Sequence, residues 1–116
     1  MIDGDQGVRE SLRALLNTLP VDVVAFSTAE EFLAQINGQR PTCLIVEFSL
    51  PGKSGLELVE GLRERGILVP AIGLTWDADS RTRERAARLG LLEIVEKPFV
   101  HWQVMARVQE VLGNSS

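Results

Sequence analysis

Val8, Leu12, Leu15, Leu16 and Leu19 recur at spacings of i, i+4, i+7, i+8 and i+11, the apolar stripe of an amphipathic helix over residues 7–19 that ends near Pro20. "VDVVAF", 21–26, is short, β-branched and partly alternating, and predicts a strand. In "STAEEFLAQING", Thr28 precedes Glu31 at capping-box spacing and Gly38 is placed to close the segment, so a second helix is expected at about 28–37. "TCLIVEF", 42–48, is a continuous apolar run bounded by Pro41 and by Pro51-Gly52, as a strand covered on both faces reads. It carries a carboxylate, Glu47, at its end. Ser54 and Glu57 make another capping box, and Leu56, Val59, Leu62 and Arg63 carry a helix to Gly66.

"VPAIGLT", 69–75, and "LLEIVE", 91–96, are two further short apolar strands. The segment between them, "DADSRTRERAARLG", is helical in composition, with Thr82, Ala86 and Leu89 on one face and Arg81, Arg85 and Arg88 on the other. Val100, Val104, Val108 and Val111 set a last helix to about residue 112, before the polar tail "GNSS". Strands alternating with helices across short loops imply right-handed βαβ crossovers and a parallel sheet with helices on both faces, a three-layer α/β fold. In such sheets the loops after the carboxyl ends of the strands converge on the site. Asp3 and Asp5, Glu47, Thr75 to Asp77, and Lys97 fall there.

With 116 residues, 45% hydrophobic and 24% charged, the chain is expected to form one domain over 1–116. Cys43 is the single cysteine and sits in an apolar run; it offers neither a disulfide framework nor metal-ligand spacing and reads as a small buried hydrophobe of an intracellular protein. No apolar run reaches the ~18 residues of a membrane span, and no signal-peptide pattern opens the chain, so a cytoplasmic protein without membrane contact is expected. A net charge of −4 argues against direct nucleic-acid binding by this domain.

Three carboxylates, a hydroxyl and a lysine at one sheet edge are the inventory for Mg²⁺ and a phosphoryl group. "IDGDQGVRESL", "LIVEFSLPGKSGLEL", "PAIGLT" and "EIVEKPF" resemble, in order, the signature blocks of response regulator receiver domains of two-component signalling. The likeness covers nearly the whole chain and is greatest to receivers that precede LuxR-type helix-turn-helix output domains. It implies the flavodoxin-like receiver fold. It also implies a site in which paired acids hold Mg²⁺ and an aspartate accepts phosphate from a histidine kinase, with a Thr or Ser, a switch aromatic and a Lys-Pro pair completing it. Asp3 then stands at the first acid, Gly4 at the second, Glu47 at the phosphoacceptor, Thr75 at the hydroxyl, Ile94 at the switch aromatic and Lys97-Pro98 at the pair.

Three of these positions depart from the family pattern. Gly4 removes a metal-binding carboxylate, for which Asp5 is only a displaced substitute, so any Mg²⁺ site built from Asp3, Asp5 and Glu47 is expected to be weak or lost. Glu47 places its carboxylate about 1.5 Å further out than an aspartate would, a misplacement near the size that costs about 10²-fold in rate. Ile94 cannot make the ring swing of an aromatic switch. A charge-assisted hydrogen bond from Lys97 to Glu47 is expected, typically worth about 1.5–3 kcal/mol. A carboxylate so held partly resembles the phosphorylated state, although a phosphoryl group adds about −1.5 to −2 charges.

Other readings stand beside these. Asp3 and Asp5 suit a helix N-terminus, Thr75 a strand end, and Trp76 either packing over its loop or covering the site entrance. Arg81, Arg83, Arg85 and Arg88, with Glu84 alone opposing, form a basic face that is either solvated or a partner surface. Only Met1 and Ile2 precede Asp3, whereas strands usually run about 5–6 residues. In the family's order 2-1-3-4-5 the short strand is central. Truncation, a strand from another chain or a rearranged four-stranded sheet would each answer this, and all raise the expectation of self-association. The reading is a degenerate receiver, not an enzyme and without a required cofactor, acting as a phosphorylation-independent interaction module in signalling or transcription control. Its partners would be proteins, a histidine kinase or another regulator among them. The alternative is a phosphorylation-competent, Mg²⁺-dependent switch at Glu47; a small-molecule-binding flavodoxin-like domain lacks its Gly-rich phosphate loop. No helix-turn-helix follows "VLGNSS", so DNA binding would belong to another domain or a partner.

Overall fold

A computed structural model describes residues 1–36, 40–97 and 101–114. Its elements run α1 (Gln6–Leu16), α2 (Ala29–Gln35), β1 (Leu44–Glu47), α3 (Gly55–Glu64), β2 (Ala71–Thr75), α4 (Ser80–Arg88), β3 (Glu93–Glu96) and α5 (His101–Asn114). The strands form a parallel sheet in the order β1-β2-β3, with Leu44 opposite Ala71 and Ile72 opposite Glu93. β1 and β2 are buried at every position, which is why their sequences are continuous apolar runs. Alternation divides them between two cores. Leu44 and Val46 pack with Phe32 of α2 and Leu58, Val59 and Leu62 of α3. Ile45, Ile72 and Leu74 pack with Leu12 and Leu16 of α1 and Val104 and Val108 of α5. Ala86 of α4 joins Phe48 and Leu56 on the α3 side.

The helix starts follow the capping residues. Thr28 Oγ accepts from Glu31 N at 3.1 Å and Ser54 Oγ from Glu57 N at 3.2 Å. Asp79 does the same for Thr82 N, at 2.8 Å. α3 closes as expected ahead of Gly66, whose φ of +76° suits a residue without a Cβ. α1 differs from its expected span: it begins one residue earlier, because Asp5 caps it, and stops at Leu16. Asn17–Leu19 continue as tighter turns, and Leu19 still packs on the α1/α5 core. α5 runs to Asn114, two residues past its expected end. Gly38, Pro98 and Val100 lie outside the described residues.

The expected strand at 21–26 is the largest correction. Only Phe26 is bridged, and its partner is Ile2, which is bridged on its other side to Val46. Residues Met1–Asp3 thus form a stub between the Phe26 segment and β1, held by Ile2 N to Ile45 O (2.7 Å), Glu47 N to Ile2 O (2.9 Å), Phe26 N to Met1 O (2.9 Å) and Asp3 N to Phe26 O (3.1 Å). A ladder needs a neighbour; the neighbour is three residues long, so pairing begins only where the stub begins. The stub sits where a central strand belongs, and the sheet is not rearranged to close the gap.

Stub burial has a measurable consequence. The Met1 ammonium donates to Val24 O at 3.0 Å, and its burial pulls its pKa from 8.0 down to about 6, against a smaller opposing effect from Cys43. A depressed amine pKa means that the unfolded chain binds the proton more readily. Stability is therefore complete above pH 8 and falls as pH drops through about 6, by about 2–3 kcal/mol in all. Urea unfolding at pH 8 and pH 6 should show this fall, and Nα-acetylation should flatten it.

Candidate functional site

The ends of the stub, β1 and β2 and the residue after β3 meet at one sheet edge. Asp3, Glu47, Thr75 and Lys97 are the buried polar side chains there among the described residues, all at 7% exposure or less. Backbone pairing delivers them: Asp3 through Phe26 O, Glu47 through Ile2 O, and Lys97 N through Thr75 O at 2.7 Å. α3 is pressed against the same edge. A Cβ on Gly55 would stand 2.1 Å from Glu47 O, so only glycine lets the helix start so close to the strand end.

Buried charges cost several kcal/mol each unless paired. Lys97 provides the pairing: Nζ hydrogen-bonds Glu47 Oε2 and lies 2.8 Å from Asp3 Oδ2. The second contact is ionic rather than an aligned hydrogen bond. Asp3 Oδ1 accepts from Asp5 N at 2.8 Å, and Arg9 donates to the Asp3 carbonyl at 2.7 Å. The Lys97–Glu47 pair matches the expectation from sequence. The engagement of Asp3 by the same ammonium, and the Arg9 brace, carry no sequence signal beyond the proximity of Asp3 to the stub's end.

Burial, then the neighbouring Asp3 carboxylate, raises the Glu47 carboxyl above the ordinary carboxylate value against the pull of Lys97. For Lys97, burial opposes the ammonium, but the adjoining Asp3 carboxylate and the hydrogen-bonded Glu47 carboxylate outweigh it and raise its pKa. Lys97 is therefore a cation throughout the neutral range. Its stabilisation is complete below the ordinary lysine value of 10.5 and is lost as pH rises through the higher folded value.

The remaining site positions divide. Asp5 is exposed and caps α1, its Oδ1 accepting from Gly7 N at 2.8 Å and Val8 N at 3.2 Å. The Thr75 hydroxyl is turned into its own loop, donating to Asp77 O at 3.1 Å and accepting from Asp77 N at 3.2 Å. Ile94 is half-buried and packs against Phe48, Leu56 and Ala86. Trp76 is 61% exposed, with its ring centroid 5.7 Å from Lys97 Nζ, so it shields the ammonium by a cation–π contact.

The α4 arginines depart from a bare basic face. Arg85 reaches Glu60 of α3 at 3.6 Å and Arg83 reaches Glu96 at 2.8 Å, while Arg88 lies 3.8 Å from Glu84. Arg81, Arg85 and Arg88 line a cleft with Leu56 and Glu60 of α3. Acids remote in sequence lie alongside α4 once the chain folds, and they offset much of its charge.

Mg²⁺ demands near-octahedral oxygen ligation at about 2.0–2.1 Å. Asp3 and Glu47 already hold Lys97, Asp5 is spent on the α1 cap, and Gly4 offers no side chain. Among the described residues no group of three His, Cys, Asp or Glu is gathered closely enough to hold a metal ion. The donors as arranged do not fit Mg²⁺. Space for the lost acid persists: a Cβ on Gly4 would meet only Pro51 Cδ, at 3.7 Å.

A parallel sheet with helices on both faces, and acids and a lysine converging at its carboxyl edge, defines a flavodoxin-like receiver. Residues 1–109 match the response regulator receiver domain family, and the chain belongs to it. It is 34% identical over 116 residues to the transcriptional regulatory protein FixJ of Azorhizobium caulinodans, covering 100% of this chain and 55% of that protein. With the transcriptional regulatory protein TdiR of Thauera aromatica it shares 30% identity over 113 residues, 97% of this chain and 50% of that protein. The chain thus spans about half the length of these curated relatives. The crystal structure of a response regulator receiver protein from Pseudoalteromonas atlantica superposes with a TM-score of 0.91 at 31% identity, over 99% of this chain and 96% of that one. Among the described residues no helix is long and apolar enough to cross a membrane.

Proposed function

We propose that this receiver domain is a phosphorylation-independent interaction module of two-component signalling, with Glu47 a fixed negative charge in place of a phosphoacceptor. The observation that carries this reading is the buried cluster in which one ammonium, Lys97, holds both Glu47 and Asp3. A carboxylate committed to a lysine inside a cluster that does not fit Mg²⁺ is a poor nucleophile for phosphoryl transfer, which depends on metal and alignment. The domain then presents one constitutive surface to protein partners, a kinase, another regulator or a second copy, with the α3/α4 cleft of Arg81, Arg85 and Arg88 as the docking face. It works in the cytoplasm, is not an enzyme, needs no cofactor and does not itself bind nucleic acid; control of transcription would run through a further domain or a partner.

The rival reading, a Mg²⁺-dependent switch phosphorylated on Glu47, requires a divalent ion at Asp3 and Glu47. Mn²⁺ as a paramagnetic probe separates the two by NMR. Millimolar Mn²⁺ should produce no saturable broadening confined to the Asp3, Glu47 and Thr75 amides; such broadening would favour the switch.

A further inference from the structure

Arg81, Arg85 and Arg88 stand at i, i+4 and i+7 on α4 and line a cleft of about 400 Å³, shared with Leu56 and Glu60 of α3 and with Glu84. Each guanidinium carries five N–H donors. Among the described residues none of these three donates a hydrogen bond, whereas Arg9, Arg63, Arg83 and Arg107 all do. Their ion pairs are equally loose: Arg85 lies 3.6 Å from Glu60, Arg88 lies 3.8 Å from Glu84, and Arg81 has none. The Glu60 and Glu84 side chains are 47% and 69% exposed, so water takes them over readily when a competing anion arrives.

The row also destabilises its own helix. Arg81 with Arg85, and Arg85 with Arg88, are like-charge neighbours at helical spacing, and Arg81 sits in the first turn, where the helix dipole disfavours a cation. Ala86 is the only buried residue of α4, so little apolar packing offsets this repulsion. An external anion would relieve it.

We propose that this cleft docks an acidic helical segment of a partner protein, whose carboxylates replace Glu60 and Glu84 on the arginines. The assignment rests on the interaction-module reading above and names the partner's chemistry. At ~1.5 Å per residue the row spans about 10 Å, and a helix laid antiparallel with acids at i, i+3 and i+7 meets it in register. A nucleic acid duplex, with one charge per ~1.7 Å, would bring far more phosphates than the row can neutralise against a chain of net charge −4. Two copies of the chain would each bring that net charge, which disfavours self-docking. Leu56 is 7% exposed and offers little apolar area, so the contact is electrostatic and salt-sensitive.

The test titrates the chain with an Ala-rich helical peptide, capped at both ends and carrying Glu at i, i+3 and i+7, and reads amide shifts by NMR. Saturable shifts should be confined to α3 and α4, and raising salt from about 50 to 300 mM should weaken binding about tenfold. Arg81→Gln, Arg85→Gln and Arg88→Gln should each weaken it about two- to fivefold and together abolish it, while Glu60→Gln, which frees Arg85, should tighten it by a similar factor. Treatment with acetyl phosphate and Mg²⁺ should change nothing. Binding seen only after that treatment would uphold the acid-binding cleft and refute the phosphorylation-independent reading beneath it. The proposal would be overturned by absence of saturable binding at millimolar peptide in low salt with or without that treatment, by equal binding of a peptide with its Glu residues at other spacings, or by full binding to the triple variant. So would it be by tighter binding of an oligonucleotide of equal charge, or by a concentration-dependent dimer that the triple variant loses.

Discussion

Lys97→Met is expected to destabilise the domain by about 3–5 kcal/mol, the cost of leaving buried charge without its partner. Lys97 is 7% exposed, Glu47 7% and Asp3 0%, so water cannot replace the lost ammonium without opening the site. Domains of this kind are stable by about 5–15 kcal/mol, so the loss is a large part of the whole. Urea unfolding measures it, and adding Glu47→Gln to Lys97→Met should recover a good part, because one of the two orphaned charges is then gone. The deficit should also shrink as pH falls: burial already raises the Glu47 carboxyl, and with the ammonium removed it takes up a proton more readily folded than unfolded, which favours the folded state at low pH. A cost below about 1 kcal/mol, typical of exposed pairs, would mean that the cluster is wet and the pairing marginal.

Glu47→Asp combined with Gly4→Asp is expected to gain Mg²⁺-dependent phosphorylation by acetyl phosphate, at least about 10²-fold faster than either single variant. The shorter side chain moves the carboxylate back by about one C–C bond and out of reach of its present hydrogen bond, while the second substitution supplies a metal-facing acid. The fold should accept it, since the space beside Gly4 is open apart from Pro51 Cδ at 3.7 Å. Glu47→Asp alone should remain nearly inert. Full phosphorylation of that single variant would show that the acid missing at Gly4 does not limit the reaction.

Much of this arrangement is legible in the sequence, because burial on two faces leaves an unambiguous pattern. The runs that become β1 and β2, the capping residues Thr28 and Ser54, and the edge positions Glu47, Thr75 and Lys97 all follow from local rules. The 21–26 segment misleads because β-propensity reports suitability for a pleated surface, not the presence of a neighbour. Only Phe26 has one. The α4 arginines mislead for a related reason: Glu60 and Glu96, 25 and 13 residues from Arg85 and Arg83, become their partners only through packing. Asp3 was readable as a site acid but not as a second anion on Lys97, because that contact crosses from the residue after β3 to the stub on the far side of β1. Trp76 could be placed at the site entrance, and its ring over the ammonium needed the loop geometry that follows Thr75.

Glu47 held as a fixed charge by Lys97 is tested most directly by incubating the unaltered chain with acetyl phosphate and Mg²⁺ and reading its intact mass. The mass should stay unchanged at every donor concentration. A stoichiometric phosphoryl adduct on Glu47, acid-stable and base-labile, would contradict it and make this receiver a working switch.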